Sequence, residues 1–264
     1  MVSPIAVNLA AGVGVALAVV LAAFGFGVVL GRHRGVDVAW GLGFAAVALT
    51  SYLLSAGTGD PARRAVVTAL TVVWGVRLAA HIAWRGWGHG EDRRYERLLA
   101  RASGNRHLYA LRMVYLLQGM LIWFVCLPVQ VTQYSTAPAD GWLVAGVAVW
   151  LVGFGFETVG DAQLLRFTRD PANTGRVLDT GLWRYTRHPN YFGDACVWWG
   201  LYLVAAGSGW AGAATIASPL LMTWFLAAKT GKPLLEADLL RRRPGYADYV
   251  ERTSGFIPLP SRRR

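Results

Sequence analysis

Residues able to do chemistry crowd into one stretch of the chain, ETVGDAQLLRFTRDPANTGRVLDTGLWRYTRHPNYFGD, from Glu157 to Asp194. Glu157 and Asp161 stand one helical turn apart at the end of a long apolar run. An ionised carboxylate is costly there unless it is paired or wet, so the two are read as the edge of a polar cavity; the alternative is that they pair with nearby arginines and only hold helices together. Arg166, Arg169, Arg176, Arg184 and Arg187 follow. Planar guanidiniums beside carboxylates suit a ligand carrying phosphates and hydroxyls. Arginines also gather in the cytoplasmic loops of membrane proteins for topological reasons, so each stands open between the two roles.

The segment Arg187-His188-Pro189-Asn190-Tyr191-Phe192-Gly193-Asp194 is more specific. Pro189 fits the first turn of a helix, where its missing N–H costs nothing, and this places Arg187 and His188 at the positive helix end. Asn190 and Asp194 then share a face one turn apart. Donors, an aromatic ring and an acceptor surround one position; a purely structural helix start is the competing reading.

The elements that must position these groups are membrane spans. Of 264 residues, 55% are hydrophobic, and they fall into runs near the ~20 residues that cross a bilayer. The runs are Pro4 to Leu30, Val38 to Ala56, Ala65 to Trp84, Leu111 to Thr132, Trp142 to Leu165, Tyr191 to Ala206 and Trp210 to Ala228. An all-α polytopic protein of about seven transmembrane helices follows, in one membrane domain over 1–258 with a basic tail at 259–264. The net charge of +11 sits between spans instead of on one soluble face, which favours membrane lipids as its partner over nucleic acid.

Of the 26 lysines and arginines, only Arg63 and Arg64 fall in an even-numbered loop and only Arg77 lies well within a span, Arg112 standing at the inner edge of the fourth. The positive-inside rule therefore puts the N-terminus out and the C-terminus in. Asp140 and Gly209 are expected outside, Asn105 and Asn173 inside. Glycines such as Gly12, Gly14, Gly27 and Gly31 read as helix-packing positions. Gly41, Gly43 and Ala46 match a dinucleotide-binding pattern but sit inside a span, where no strand precedes them, and are rejected as such. Cys126 and Cys196 have no metal-ligand spacing, and the histidines are too scattered for a metal centre.

GLWRYTRHPNYFGD, the following WWGLYL, and later LLEADLLRRRPGYADYV with a terminal FIP resemble the C-terminal half of the steroid 5-alpha-reductase family, in its bacterial branch. The resemblance covers about residues 150–258 well and the N-terminal half weakly, through DVAWG, RLAAH and EDRRY. It implies seven spans, NADPH bound from the cytosolic side in about 150–258, and hydride delivery to an enone. Asp161, Arg176, Asn190 and Asp194 fall on cofactor-contacting positions and Arg169 is a further match, whereas Glu157 stands where the reductases often have an amide. Asn173, Arg187, His188, Tyr191 and Glu236 complete the implied cofactor set.

At the substrate end the mammalian enzymes grip the carbonyl with a glutamate and a tyrosine on the second and third spans. Here no glutamate fits the second span, and the nearest candidates are Asp37 at its start, His81 in the third, and Tyr95 in the inner loop. The substrate is expected to be a hydrophobic small molecule entering from the bilayer. Isoprenylcysteine carboxyl methyltransferases share a similar RHP segment and a late acidic element like Leu234-Leu235-Glu236, with S-adenosylmethionine as the ligand, and form the alternative. A transporter would show repeated halves, which the sequence lacks.

Overall fold

The computed structural model describes residues 3–229 and 231–261; of the basic tail, residues 262–264 lie outside the described residues. The described chain is helical, with a single bridge between Thr186 and Ser254. α1 (Pro4–Leu30) starts at Ser3, whose hydroxyl accepts the Ala6 N–H with Pro4 in the first turn, and stops at Gly31 in the left-handed conformation. α2 (Val36–Leu54) and α3 (Pro61–Gly86), capped by Asp60, follow. The loop after α3 holds α4 (Arg93–Leu99). Next come α5 (Arg106–Ala110), a π-helical turn at Leu111–Tyr115, α6 (Leu116–Val125) and α7 (Leu127–Thr132). α8 (Gly141–Arg169) and α9 (Pro189–Ala206) flank the charged stretch. α10 (Trp210–Ala213) and α11 (Ala217–Trp224) are succeeded by a second π-helical turn, Phe225–Lys229, then by α12 (Lys232–Arg242) and α13 (Tyr246–Arg252).

Among the described residues, six helical stretches are long and apolar enough to cross a membrane: Pro4–Leu30, Val36–Leu54, Pro61–Gly86, Arg106–Val125, Gly141–Arg169 and Trp210–Lys229. The expected sixth span is α9, which starts at Pro189 and is only 18 residues long. Its polar first turns keep it outside the six, because the residues that make it chemically interesting lower its hydropathy.

The packing divides the chain into two compact units, Met1–Leu143 with Val204–Thr215, and Val144–Leu203 with Ile216–Arg264. The boundaries fall inside helices, not in linkers. In the first unit α2 packs along α3 and α1 against α2 and α6. Gly41 permits the closest approach, for a Cβ there would strike the Gly75 carbonyl and Ala79. Gly12 and Gly27 also pack, against Gln130 and against Tyr115. Two glycines differ from the expected packing role: Gly14 meets nothing within 4 Å, and Gly31 is a helix cap with φ 64°.

In the second unit α8 and α9 run antiparallel on small residues. A Cβ on Gly153 would lie 2.5 Å from the Gly193 carbonyl, and one on Gly200 2.6 Å from the Gly146 carbonyl. Gly146, Gly153 and Gly160 recur every seven residues, as do Gly193 and Gly200, the spacing that keeps one seam facing its partner. At the end of that seam Gly160 faces Pro189 and Asn190, which fixes the start of α9 against the carboxylates of α8.

Candidate active site

Within the second unit, Asp161 is 6% exposed and Glu157 3%. The seam places Asp161 opposite Asn190, whose Nδ2 donates to Asp161 Oδ1 at 3.1 Å; Asn190 Oδ1 accepts the Tyr191 N–H at 3.1 Å. Asp194 lies one turn further along α9. The buried indole of Trp183 donates to the Gly160 carbonyl at 3.1 Å and folds the loop back along α8.

Arg187 and His188 are buried beside this helix start, and their partner is Glu236 of α12. Arg187 Nε donates to Glu236 Oε1 at 2.8 Å and Nη2 to Oε2 at 3.3 Å. His188 Nε2 lies 3.0 Å from Oε1, and its ring stacks on Tyr191 at 5.2 Å. Arg187 Nη1 donates to the carbonyls of Val250, at 3.0 Å, and Thr253. Burial alone would raise the Glu236 carboxyl, but hydrogen bonds from His188 and Arg187 overcome it and hold its pKa at about 2. His188 is lowered by burial, only partly offset by Glu236, so a neutral imidazole donates to the carboxylate. Among the described residues Arg169 and Arg176 are exposed and Asn173 half-buried, with Asn173 Nδ2 donating to the Phe167 carbonyl at 3.2 Å.

The first unit carries a second cluster. Asp37 opens α2, and its carboxylate accepts the Tyr95 hydroxyl at 2.5 Å and Arg94 Nη2 at 2.7 Å. Arg94 is held in turn by Asp92, Nε to Oδ1 at 3.1 Å. Burial first, then the charge of Asp37, pushes the Tyr95 phenol well above its usual range, so it stays protonated. Of the three candidates at the substrate end, Asp37 and Tyr95 are thus in direct contact; His81 stands half-buried on α3, close to its C-terminal end.

Neighbouring residues that sequence reasoning passed over complete the arrangement. Glu91 accepts the backbone N–H groups of His33, at 2.5 Å, and Arg34, at 2.8 Å, and so fastens the α1–α2 turn to the loop after α3. His33 is 1% exposed; its Nδ1 lies 2.9 Å from the Tyr115 hydroxyl and its Nε2 3.0 Å from His107 Nδ1. Tyr115 ends the π-helical turn, a distortion common at functional positions. The EDRRY segment is the one sequence signal that includes Glu91; the partners of His33 lie 58 to 82 residues away and leave no local trace.

Residues 23–253 match the family described as "Protein of unknown function (DUF1295)". The chain belongs to that family, which is steroid 5-alpha-reductase-like. A bovine protein, 3-oxo-5-alpha-steroid 4-dehydrogenase 1, is 38% identical over 88 residues, covering 30% of this chain and 33% of the relative. The match therefore spans about a third of that curated relative. No solved structure matches.

Proposed function

We propose that the protein is a membrane-embedded reductase that reduces the carbon–carbon double bond of an enone-type lipid, such as a 3-keto-4-ene steroid, at the expense of NADPH. The observation that carries this reading is the hydrogen-bonded pair of Tyr95 and Asp37. A protonated phenol that can pass its one hydrogen bond from a carboxylate to a carbonyl oxygen is a donor for that oxygen, and the name of the bovine relative is that of an enzyme acting on a 3-oxo steroid.

The donor set fits NADPH. Arg169 and Arg176 present exposed guanidiniums suited to phosphate oxygens, while Asn190 with Asp161, together with Asp194 and Glu157, offers amide and carboxylate groups to hydroxyls and the carboxamide. Arg187, His188 and Glu236 act by position: their donors are committed to one another and to backbone carbonyls, and they hold the start of α9 and Tyr191. When bound, NADPH supplies the hydride. The Tyr95 hydroxyl has one proton, given to Asp37 in the free protein; when substrate binds it turns that proton to the carbonyl oxygen, and as charge grows there the bond strengthens. Asp37 keeps Arg94 as its donor meanwhile. His81 is the alternative donor. The orientation that goes with this places the N-terminus outside, with α9 as a seventh span and the site toward the cytoplasm of a bacterial inner membrane.

The Arg187–His188–Glu236 linkage joins the two elements shared with the isoprenylcysteine carboxyl methyltransferases, which makes S-adenosylmethionine the competing ligand. Equilibrium binding to the detergent-purified protein separates the two. NADPH should bind, and Asn190→Ala should weaken it by ~1–3 kcal/mol because Asp161 is left with an unmet partner. Tight S-adenosylmethionine binding without NADPH binding would replace the reductase by a methyltransferase.

A further inference from the structure

Within the second unit a polar cavity of about 380 Å³ opens between the turn at residues 179–184 and the C-terminal segment, lined by Thr180, Gly181, Arg184, Arg252, Thr253 and Ser261. Asp179 also borders it and pairs with Arg252 at 2.6 Å. Two guanidiniums against one carboxylate leave the cavity positive, and the hydroxyls of Thr180 and Thr253 add donors, that of Ser261 being given to the Arg252 carbonyl at 3.3 Å. Its surroundings are apolar although they lie outside every span: Tyr185 is 45% exposed, Ile257 61% and Leu259 55%. Leu259 is fastened there by its N–H to the Tyr185 carbonyl at 3.0 Å.

The level of the cavity follows from its attachments. Trp183 is bonded to Gly160, inside α8, and Pro189 starts α9, so the turn lies beside the C-terminal part of the long apolar α8 and the polar start of α9, where headgroups meet acyl chains. Cations flanked by exposed aliphatic and aromatic side chains at that level have the composition of a membrane-interface element. We propose that this cavity binds the phosphate of an anionic phospholipid of the phosphatidylglycerol class, with its acyl chains along Ile257 and Leu259. The site shares a strap with the cluster of Arg187, His188 and Glu236. The carbonyls of Thr253 and Ser254 accept from Arg187, and that of Phe256 accepts the Thr186 hydroxyl at 2.9 Å. A bound lipid therefore steadies the segment that Arg187 also holds.

The test is native mass spectrometry of the full-length protein in detergent, titrated with short-chain phosphatidylglycerol, phosphatidylcholine or inorganic phosphate. Phosphatidylglycerol should bind in preference to phosphatidylcholine and resist displacement by inorganic phosphate. Arg184→Gln should weaken it roughly fivefold, the effect of one cation near a charged headgroup. Asp179→Asn should tighten it, a gain that a misfolded variant cannot produce. Equal binding of the two lipids, or loss of affinity in Asp179→Asn, would overturn the proposal. Displacement by equimolar inorganic phosphate would reassign the cavity to a free anion and overturn it as a lipid site.

Discussion

At the scale of single residues the account rests on two carboxylates with different duties. Asp37 holds Tyr95, and the phenol is the group asked to stabilise charge. Tyr95→Phe removes one aimed donor, so turnover on a 3-keto-4-ene steroid should fall ~10²–10³-fold while NADPH affinity, measured by titration, is unchanged. Glu236 instead holds the fold. Its pKa of about 2 lies below the ordinary 4.5, and His188 is also lowered, so the unfolded chain takes up protons first as pH falls. The stabilisation is complete above ~6.5 and is lost on acidification, first through His188 and then as pH approaches 2. Thermal unfolding in detergent should show the midpoint falling between about pH 7 and about pH 3, and falling less steeply in Glu236→Gln, which starts lower because Arg187 is left buried without its counter-charge. Sequence reading named Asp37, Tyr95, Arg187, His188 and Glu236, the last through a family likeness alone. It could not pair them, because 58 residues separate Tyr95 from Asp37 and 49 separate Glu236 from Arg187, and only the packed helices supply those contacts.

At the scale of elements the seven-residue glycine spacing on α8 and α9 does the positioning. That spacing is present in the sequence, whereas of the glycines expected to pack helices in and just after α1, Gly14 and Gly31 meet nothing within 4 Å. The start of α9 at Pro189 was readable because proline fits only a first turn. The π-helical turns at Leu111–Tyr115 and Phe225–Lys229 were not, since an inserted residue leaves no change in apolar periodicity over so short a span. If the seam holds Asp161 to Asn190, widening it must damage both fold and site. Gly153→Val pushes its side chain into the Gly193 carbonyl and Val197 amide and should cost ~1–3 kcal/mol or more, read as a lower unfolding midpoint. Gly155→Ala, which meets nothing within 4 Å, should leave the midpoint unchanged or raise it slightly.

At the scale of the whole molecule, the alternation of basic loops is what supports the proposed orientation, and its two exceptions have a structural use. Arg63 is fully buried and donates to the carbonyls of Ala137, Pro138 and Val204 and to Asp140. Arg64 binds the Ser55 hydroxyl and the Tyr52 carbonyl and lies over the Tyr52 ring. Both are fastenings inside the first unit, so neither weighs against an outward loop. The all-helical membrane class was legible because lipid forces long apolar helices, whereas the chemistry depends on side chains brought together by the fold. The central claim is hydride transfer from NADPH to an enone. The direct measurement incubates purified protein with NADPH carrying deuterium at the transferable position and 4-androstene-3,17-dione, then weighs the steroid product. The account predicts a saturated ketone carrying one deuterium at the β-carbon, absent without protein; recovery of unreduced steroid, with S-adenosylmethionine bound tightly by the same preparation and NADPH not at all, would contradict it.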